Sequence, residues 1–203
     1  MNRPVNLPHD KLKLWLALLK CPRFGVVSFL RLKSLLPNPT DIFSIPQSEL
    51  VHYGLNESQI AYLRQPDWSY VERLAGWLSA HNIQLIPMDS PSYPDLLAST
   101  ARPPIVLFAK GRLDLLSTPQ VAFVGSRNPS HYGKHVTQHL IQQLSAMDVC
   151  ITSGLAIGID GLAHKAALKN GCPTIAVLGS GFQHIYPKRH LRLADEIAES
   201  GLL

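Results

Sequence analysis

Arg127 follows a glycine and a serine at the end of an apolar run, a combination suited to phosphate binding. The run Val121–Val124 predicts a strand buried on both faces, as in parallel sheets, and a helix is expected to begin at Ser130. A glycine turn between such a strand and a helix lets backbone N–H groups and the helix N-terminus face an anion. Gly125 permits the turn, Ser126 supplies a hydroxyl, and the guanidinium can bind two phosphate oxygens. The turn therefore predicts a contact with the phosphate backbone of a nucleic acid.

Two further strands are expected to end in small residues at the same edge of the sheet. Ser153-Gly154 follows the expected strand 149–152, and Gly179-Ser180-Gly181 follows the expected strand 174–178. Ligands of open α/β sheets bind outside the carboxyl ends of the strands. We call this edge, formed by the three turns, the mouth; its glycines are also compatible with tight turns alone. The predicted nucleic-acid contacts at the mouth are Gly125, Ser126, Arg127, Ser153, Gly154, Gly179, Ser180 and Gly181.

Asp160 and His164, one helical turn apart, are the side chains best spaced for acid/base chemistry. Asp160 opens the expected helix Ile159–Lys169, where capping and the helix dipole favour it without any function. The alternative function is a Rossmann-like nucleotide hydrolase of the phosphoribohydrolase type, with this pair as acid and base. Such an enzyme is expected to carry a catalytic glutamate, and none occurs from Pro91 to Asp195. No G-x-G-x-x-G motif supports dinucleotide-dependent redox chemistry either.

Other polar clusters leave two interpretations open. His131, His135 and His139 recur every fourth residue, a spacing that can bind a metal but is more typical of a solvated helix face. A basic cluster follows residues 186–187 and suits either a polyanion or a solvated helix start; its members are Lys188, Arg189, His190 and Arg192. Tyr186 and Phe182 could stack on bases or belong to the core.

The composition is that of a globular, mildly basic protein. The 203 residues carry a formal net charge of +5, with 46% hydrophobic and 16% charged residues, which is compatible with a polyanionic partner. Cys21, Cys150 and Cys172 lack CxxC spacing and are expected to be reduced, buried thiols of a cytoplasmic protein. No apolar run approaches the roughly 20 residues of a membrane span, so no membrane association is predicted.

Two domains are expected, one at residues 1–66 and one at 67–203. The first is predicted to be helical over 10–20, 26–36, 48–53 and 57–63. Its turn Cys21–Gly25 resembles a helix-hairpin-helix element, which presents backbone N–H groups to DNA, or is an ordinary helix corner. The second begins with a helix over 71–81 and then alternates short strands and helices. This alternation predicts an α/β fold with a parallel, doubly wound sheet.

Taken together, these motifs resemble the DprA (DNA processing protein A, or Smf) family. The matching segments are Ser92–Leu97, Pro103–Gly111, Val121–Arg127, Ser130–Gly133, Ser153–His164, Thr174–Gly181 and Ile185–Pro187. They cover roughly residues 93–203, and the N-terminal part matches more loosely. Each segment alone is unspecific, whereas the whole set is highly specific.

The resemblance implies a SAM-like N-terminal helical domain and an extended Rossmann domain. It implies a non-enzymatic protein of natural transformation that binds single-stranded DNA without sequence preference and protects incoming DNA. It also implies that the protein loads the RecA recombinase onto this DNA in competition with single-strand binding protein. No cofactor follows from it. On the matching positions, Arg127 is the best-matched DNA contact, and Lys188 beside Tyr186-Pro187 is a further candidate.

Three departures from the family pattern stand out. Gly171-Cys172 lies where two glycines are usual, and His184 where an acidic residue is usual. Family members also continue past Gly201-Leu202 with more of the sheet, another arginine-rich segment and often a winged helix. We therefore expect the surfaces of the family's homodimer and of its RecA contact to lie outside these residues, which are a piece of a longer protein or a shortened gene product.

Overall fold

Helices fill the first part of the chain, as the apolar spacing predicts. The computed structural model describes residues 7–203. Prolines and glycines separate the helices, because they lack a backbone donor or favour turn conformations. The helices are α1 (His9–Lys20), α2 (Val26–Leu35), α3 (Gln47–Leu50), α4 (Glu57–Arg64) and α5 (Trp68–Ala80), with 3₁₀ turns at Pro39–Ser44 and Val51–Tyr53.

The core of this part centres on Trp15 of α1 and Phe29 of α2. Both are fully buried, and their ring centroids lie 5.7 Å apart. Helix α5 packs on α1, and Lys13 Nζ lies 2.7 Å from Glu72 Oε2 across that contact. The helix expected to open the second domain therefore packs with the N-terminal helices.

The chain divides into two compact units between Phe108 and Ala109, later than the domain boundary expected at residue 66. The first unit also holds β1 (Gln84–Pro87), α6 (Asp95–Ala98) and most of β2 (Val106–Ala109), and the two strands pair. The hydroxyl of buried Tyr93 donates to the Pro104 carbonyl at 2.6 Å and ties together the segment between them. These units describe compactness and not independent folding. The division into domains 1–66 and 67–203 therefore stays a prediction.

A parallel three-stranded sheet organises the second unit. Its strands are β3 (Gln120–Ala122), β4 (Cys150–Ser153) and β5 (Thr174–Ala176), in the order β3-β4-β5. The helices that alternate with them are α7 (His131–Leu144), α8 (Ile159–Lys169) and α9 (Leu191–Ser200). A helical part followed by a Rossmann-like part confirms the predicted fold class. Gly201–Leu203 continue the sheet, since Leu202 bridges both Ile175 and Gly111.

Strand β3 packs against the core on one face only, and that face is half-buried, which corrects the expectation of two buried faces. Val121 and Phe123 pack against the cluster of Ile141, Ile151 and the alanines of α8. The alternate residues Ala122 and Val124 are exposed, Val124 to 83%. An apolar run predicts burial but cannot specify the non-local element that would cover its second face.

The three cysteines are buried and free of disulfides, as expected. Burial raises the pKa of the Cys150 thiol to about 12, so it is a packing residue rather than a nucleophile. Within residues 7–203, the helices are too short or too polar to cross a bilayer.

His164 of α8 is a fully buried polar residue of the second unit. The Thr174 hydroxyl donates to the Ile151 carbonyl at 2.8 Å, so it accepts from His164 Nδ1–H, which lies 2.8 Å away. His164 Nε2 is then the unprotonated nitrogen, and it has no partner within the described part of the chain. Burial lowers the pKa of His164 to about 4, outweighing the nearby charge of Asp160. The ring is therefore neutral at pH 7.

We predict that this histidine makes the fold sensitive to acid. The unfolded chain takes up a proton below pH 6.5, whereas folded His164 does so only near pH 4. The free energy of unfolding therefore decreases by up to about 3 kcal/mol as the pH falls from about 6.5 to about 4. Urea unfolding at several pH values should show a shallower dependence for His164→Asn than for the wild type. His131→Asn, at an exposed position, is the control, and an unchanged slope in His164→Asn would contradict the assignment.

Candidate nucleic-acid interface

The three predicted turns do meet at one edge of the sheet. Because β3, β4 and β5 are parallel, with Ala122 opposite Thr152 and Ser153 opposite Ala176, their carboxyl ends lie side by side. A cleft of about 330 Å³ opens there. Its lining includes the predicted residues Arg127, Gly154, Gly179 and Ser180, together with Ala156, Ile157, Leu178 and Tyr186.

Arg127 is exposed and free at the rim of this cleft. No ion pair engages it among residues 7–203. Its backbone packs closely against Gly158. Gly158 has φ of +90°, a conformation that favours glycine. A Cβ on Gly158 would overlap the Ser126 carbonyl oxygen and lie 2.6 Å from Arg127 Cα. The turn that carries the Arg127 guanidinium is thus packed tightly against the start of α8.

Gly125 and Ser126 support the same turn. A Cβ on Gly125 would lie 2.7 Å from Ile159 Cγ1, and the Ile159 N–H donates to the Ser126 carbonyl at 3.1 Å. Ser126 Oγ accepts from the Asn128 N–H at 3.0 Å, which leaves its hydroxyl hydrogen available to a ligand. Gly125 and Ser126 are exposed, but neither lines the cleft.

The N-terminus of α7 lies just beyond this turn and keeps its positive dipole uncompensated. Ser130 caps it, accepting from the Gly133 N–H at 3.1 Å, and the first turn contains no acidic residue. Helix α8 differs, because Asp160 sits in its first turn. An anion at the mouth is therefore favoured on the side of Arg127 and α7.

The Ser153 side chain, one of the predicted contacts, is buried and does not line the cleft. It is 5% exposed, and its hydroxyl donates to the Phe123 carbonyl at 2.6 Å. It lies on the same face of β4 as Ile151, and side chains two residues apart share a face. Ser153 therefore joins β4 to the end of β3.

The backbone at Gly154 is held by a carboxylate. Asp160 Oδ2 accepts from the N–H groups of Gly154 at 3.2 Å and Ala156 at 3.3 Å. A Cβ on Gly154 would lie 2.9 Å from that oxygen, so glycine is needed for the close approach. These amides are engaged within the protein, and Gly154 contributes an unobstructed surface instead of donors.

Asp160 and His164 do not form an exposed acid/base couple. Among the described residues no hydrogen bond joins them, since Asp160 binds backbone amides and His164 binds Thr174. The neutral, buried imidazole has no access to the cleft. Hydrogen bonds to the loop amides before α8 explain Asp160, and packing explains His164.

The basic cluster after Tyr186 divides into two kinds of residue. His190 is buried and donates from Nδ1 to the Leu155 carbonyl at 2.8 Å, and Arg192 Nε pairs with Glu196 at 3.0 Å. Lys188 and Gly181 are exposed and follow the cleft residues Tyr186 and Ser180 closely in sequence, but neither lines the cleft. The cluster predicted from sequence therefore contributes fewer free charges than its composition indicates.

The two aromatic candidates separate in the same way. Phe182 packs against the cluster of α9 with Leu193 and Ile197, so it belongs to the core. Tyr186 is 69% exposed and lines the cleft. Among the described residues, no three metal-ligating side chains lie close enough together to bind a metal ion. His131, His135 and His139 of α7 therefore do not form a metal site.

Gly158 and Asp160 support the mouth but are not among the site residues predicted from the sequence. The segment Gly158-Ile159-Asp160-Gly161 is recognisable in the sequence, but its glycines indicate only the start of a helix. Their role depends on the approach of the β3–α7 turn, a contact between residues about thirty positions apart that spacing cannot reveal.

Comparisons with known proteins agree with this architecture. The family model of DNA recombination-mediator protein A matches residues 84–203. DNA processing protein DprA of Bacillus subtilis is 48% identical over 122 residues, 60% of this chain and 41% of that protein. Protein Smf of Escherichia coli is 47% identical over 131 residues, 64% of this chain and 35% of that protein. The chain thus spans less than half the length of these relatives.

Two solved structures are similar. The X-ray structure of DNA processing protein A from Streptococcus pneumoniae superposes with a TM-score of 0.76 and 30% identity, covering 98% of this chain and 67% of that one. A structure of DNA processing protein A from Helicobacter pylori, described for its single-stranded DNA binding mode, gives 0.52 and 31%, covering 61% and 55%.

We predict that Gly158→Ala disrupts the mouth. The added methyl must displace the Ser126–Arg127 backbone at a φ that alanine disfavours, so we expect a loss of at least about 1 kcal/mol in unfolding free energy. The control is Gly179→Ala, where a Cβ meets nothing within 4 Å. Urea unfolding of both variants is the measurement, and equal stabilities would contradict the packing described.

Proposed function

The chain belongs to the family of DNA recombination-mediator protein A, and we propose that its mouth binds single-stranded DNA without sequence preference. The observation that carries this proposal is the free guanidinium of Arg127 at a rim of small residues. A polyanion needs such a charge, and a continuous backbone needs a surface without obstructing side chains. The relative from H. pylori, described as a single-stranded DNA binder, supports the same class of ligand.

The charges at the mouth favour phosphate over other anions of the cell. Arg127 can donate two parallel hydrogen bonds to phosphate oxygens, while the Ser126 hydroxyl and the α7 dipole act on the same side. The nearest acid, Asp160, is turned toward backbone amides. Exposed Lys188, two residues after Tyr186, is a second positive charge that the strand could contact.

Tyr186 is the residue we assign to the bases. An exposed aromatic ring beside a phosphate contact can stack on any base, which gives affinity without sequence recognition. The bare surfaces of Gly154, Gly179 and Ser180 leave room for the sugar-phosphate chain between Tyr186 and Arg127.

The finer roles follow as proposals from family membership. We propose that the chain acts in natural transformation, in the cytoplasm, where it protects incoming DNA and helps load RecA in competition with single-strand binding protein. A homodimer is proposed for the full-length form. The test is RecA filament assembly on single strands coated with single-strand binding protein. Faster assembly with the protein present is expected, and no acceleration would contradict RecA loading while leaving DNA binding intact.

A nucleotide hydrolase is the less supported function, because the Asp160 carboxylate is bonded to amides and His164 is buried and neutral. Incubation with nucleoside monophosphates separates the two ideas. Release of free base would favour the hydrolase.

We predict that Arg127→Ala weakens binding to single strands of any sequence by roughly tenfold, because a charge-assisted hydrogen bond is lost. The slope of log affinity against log salt should fall by roughly 0.7 for the phosphate contact removed. Fluorescence anisotropy with labelled oligonucleotides is the measurement. Arg102→Ala, at another exposed arginine, is the matched control and should bind as the wild type does.

Unchanged affinity in Arg127→Ala would remove the mouth as the binding site. A preference for duplex over single strands in the wild type would contradict the proposed ligand.

A further inference from the structure

A second cleft, of about 430 Å³, runs between α7 and α8. Two side chains from each helix give it its chemical character: His135 and His139 of α7, and Lys165 and Lys169 of α8. We call it the helix groove. The mouth proposed above does not use any of these four residues, and all four are exposed.

Each pair is spaced four residues apart, which puts both members on the same side of their helix. The two imidazole rings lie nearly parallel, at 7°, with centroids 6.4 Å apart. The amide side chains of Gln138, Gln142 and Asn170 complete the polar lining. The groove therefore offers hydrogen-bond donors along its length, two of which are permanent cations.

No acidic side chain lines the groove. Helix α7 has no aspartate or glutamate, and the single acid of α8, Asp160, is bonded to the amides of Gly154 and Ala156. Neither lysine has an ion-pair partner among residues 7–203. Two uncompensated ammonium groups disfavour a metal ion beside the histidines and favour an anion.

We propose that the helix groove binds phosphates of the same single DNA strand that occupies the mouth, and so extends the contact along α7 and α8 away from the mouth. This rests on the proposed function of the mouth. Both helices begin at the mouth, since α7 follows the Arg127 turn and α8 follows Gly158. Lys169 lies ten residues from the start of α8, about 15 Å along its axis at 1.5 Å per residue.

The chemistry of the groove suits the backbone of the strand and not its bases. Lysine is a flexible point charge that binds phosphate without a fixed geometry, and the lining contains no aromatic ring that could stack on a base. Contacts of this kind position a strand without reading it. The groove therefore adds affinity that depends on strand length and salt but not on sequence.

The test compares oligothymidylates of about 4 and about 16 nucleotides, the range of site sizes for single-strand binding modules. The double variant Lys165→Gln/Lys169→Gln should bind the long strand several-fold more weakly, with a salt slope reduced by roughly 1.4 for two contacts. Binding of the short strand, which fills only the mouth, should not change. Lys165→Arg/Lys169→Arg keeps the charge and should restore long-strand affinity.

The matched control is Lys11→Gln/Lys33→Gln, which makes the same change in net charge at exposed lysines of α1 and α2. Wild-type affinity of the groove variant for the long strand would overturn the groove, as would equal weakening for both lengths. Arg127→Ala run in parallel tests the mouth separately, since it should weaken both lengths. If Arg127→Ala is silent while the groove variant weakens the long strand, the mouth fails and the groove stands.

Discussion

The approach of the β3–α7 turn to the first residue before α8 is the constraint on which the mouth depends. The Ser126–Arg127 backbone lies where a side chain on Gly158 would be, and the Ile159 amide bonds to the Ser126 carbonyl. This contact brings two successive strand-helix connections together. It holds the arginine backbone in place, so a ligand has to order only the Arg127 side chain when it binds.

This mouth differs from the usual anion site at a helix N-terminus. In that arrangement backbone amides meet the phosphate directly. Here the amides after β4 are bonded to Asp160, and the hydroxyl of Ser153 is bonded to Phe123. Because these donors are already bonded within the protein, the proposed recognition of DNA falls to the Arg127 guanidinium, the Ser126 hydroxyl, the Tyr186 ring and a surface with few side chains. Such a surface suits a chain that can slide along it more than a single phosphate fixed in a cradle.

Sequence reasoning succeeded where the pattern is local. The bounds of α8, the three strand-end turns and the reduced cysteines follow from periodicity, glycine and spacing. It failed where a distant residue decides the outcome. Ser153 carries a suitable hydroxyl in a suitable turn, but its register on β4 directs it inward. In the sequence, His190 is one of four neighbouring basic residues. In the structure it is buried and hydrogen-bonds to the carbonyl of Leu155, thirty-five residues earlier.

The uncovered outer face of β3 has a consequence for the behaviour of the protein in solution. Within residues 7–203, β3 is a terminal strand of its sheet, and Ala122 and Val124 present apolar surface beside its unpaired backbone. A terminal strand with these properties is a template on which a strand from another molecule can hydrogen-bond. We therefore expect that high protein concentration favours intermolecular strand pairing at β3.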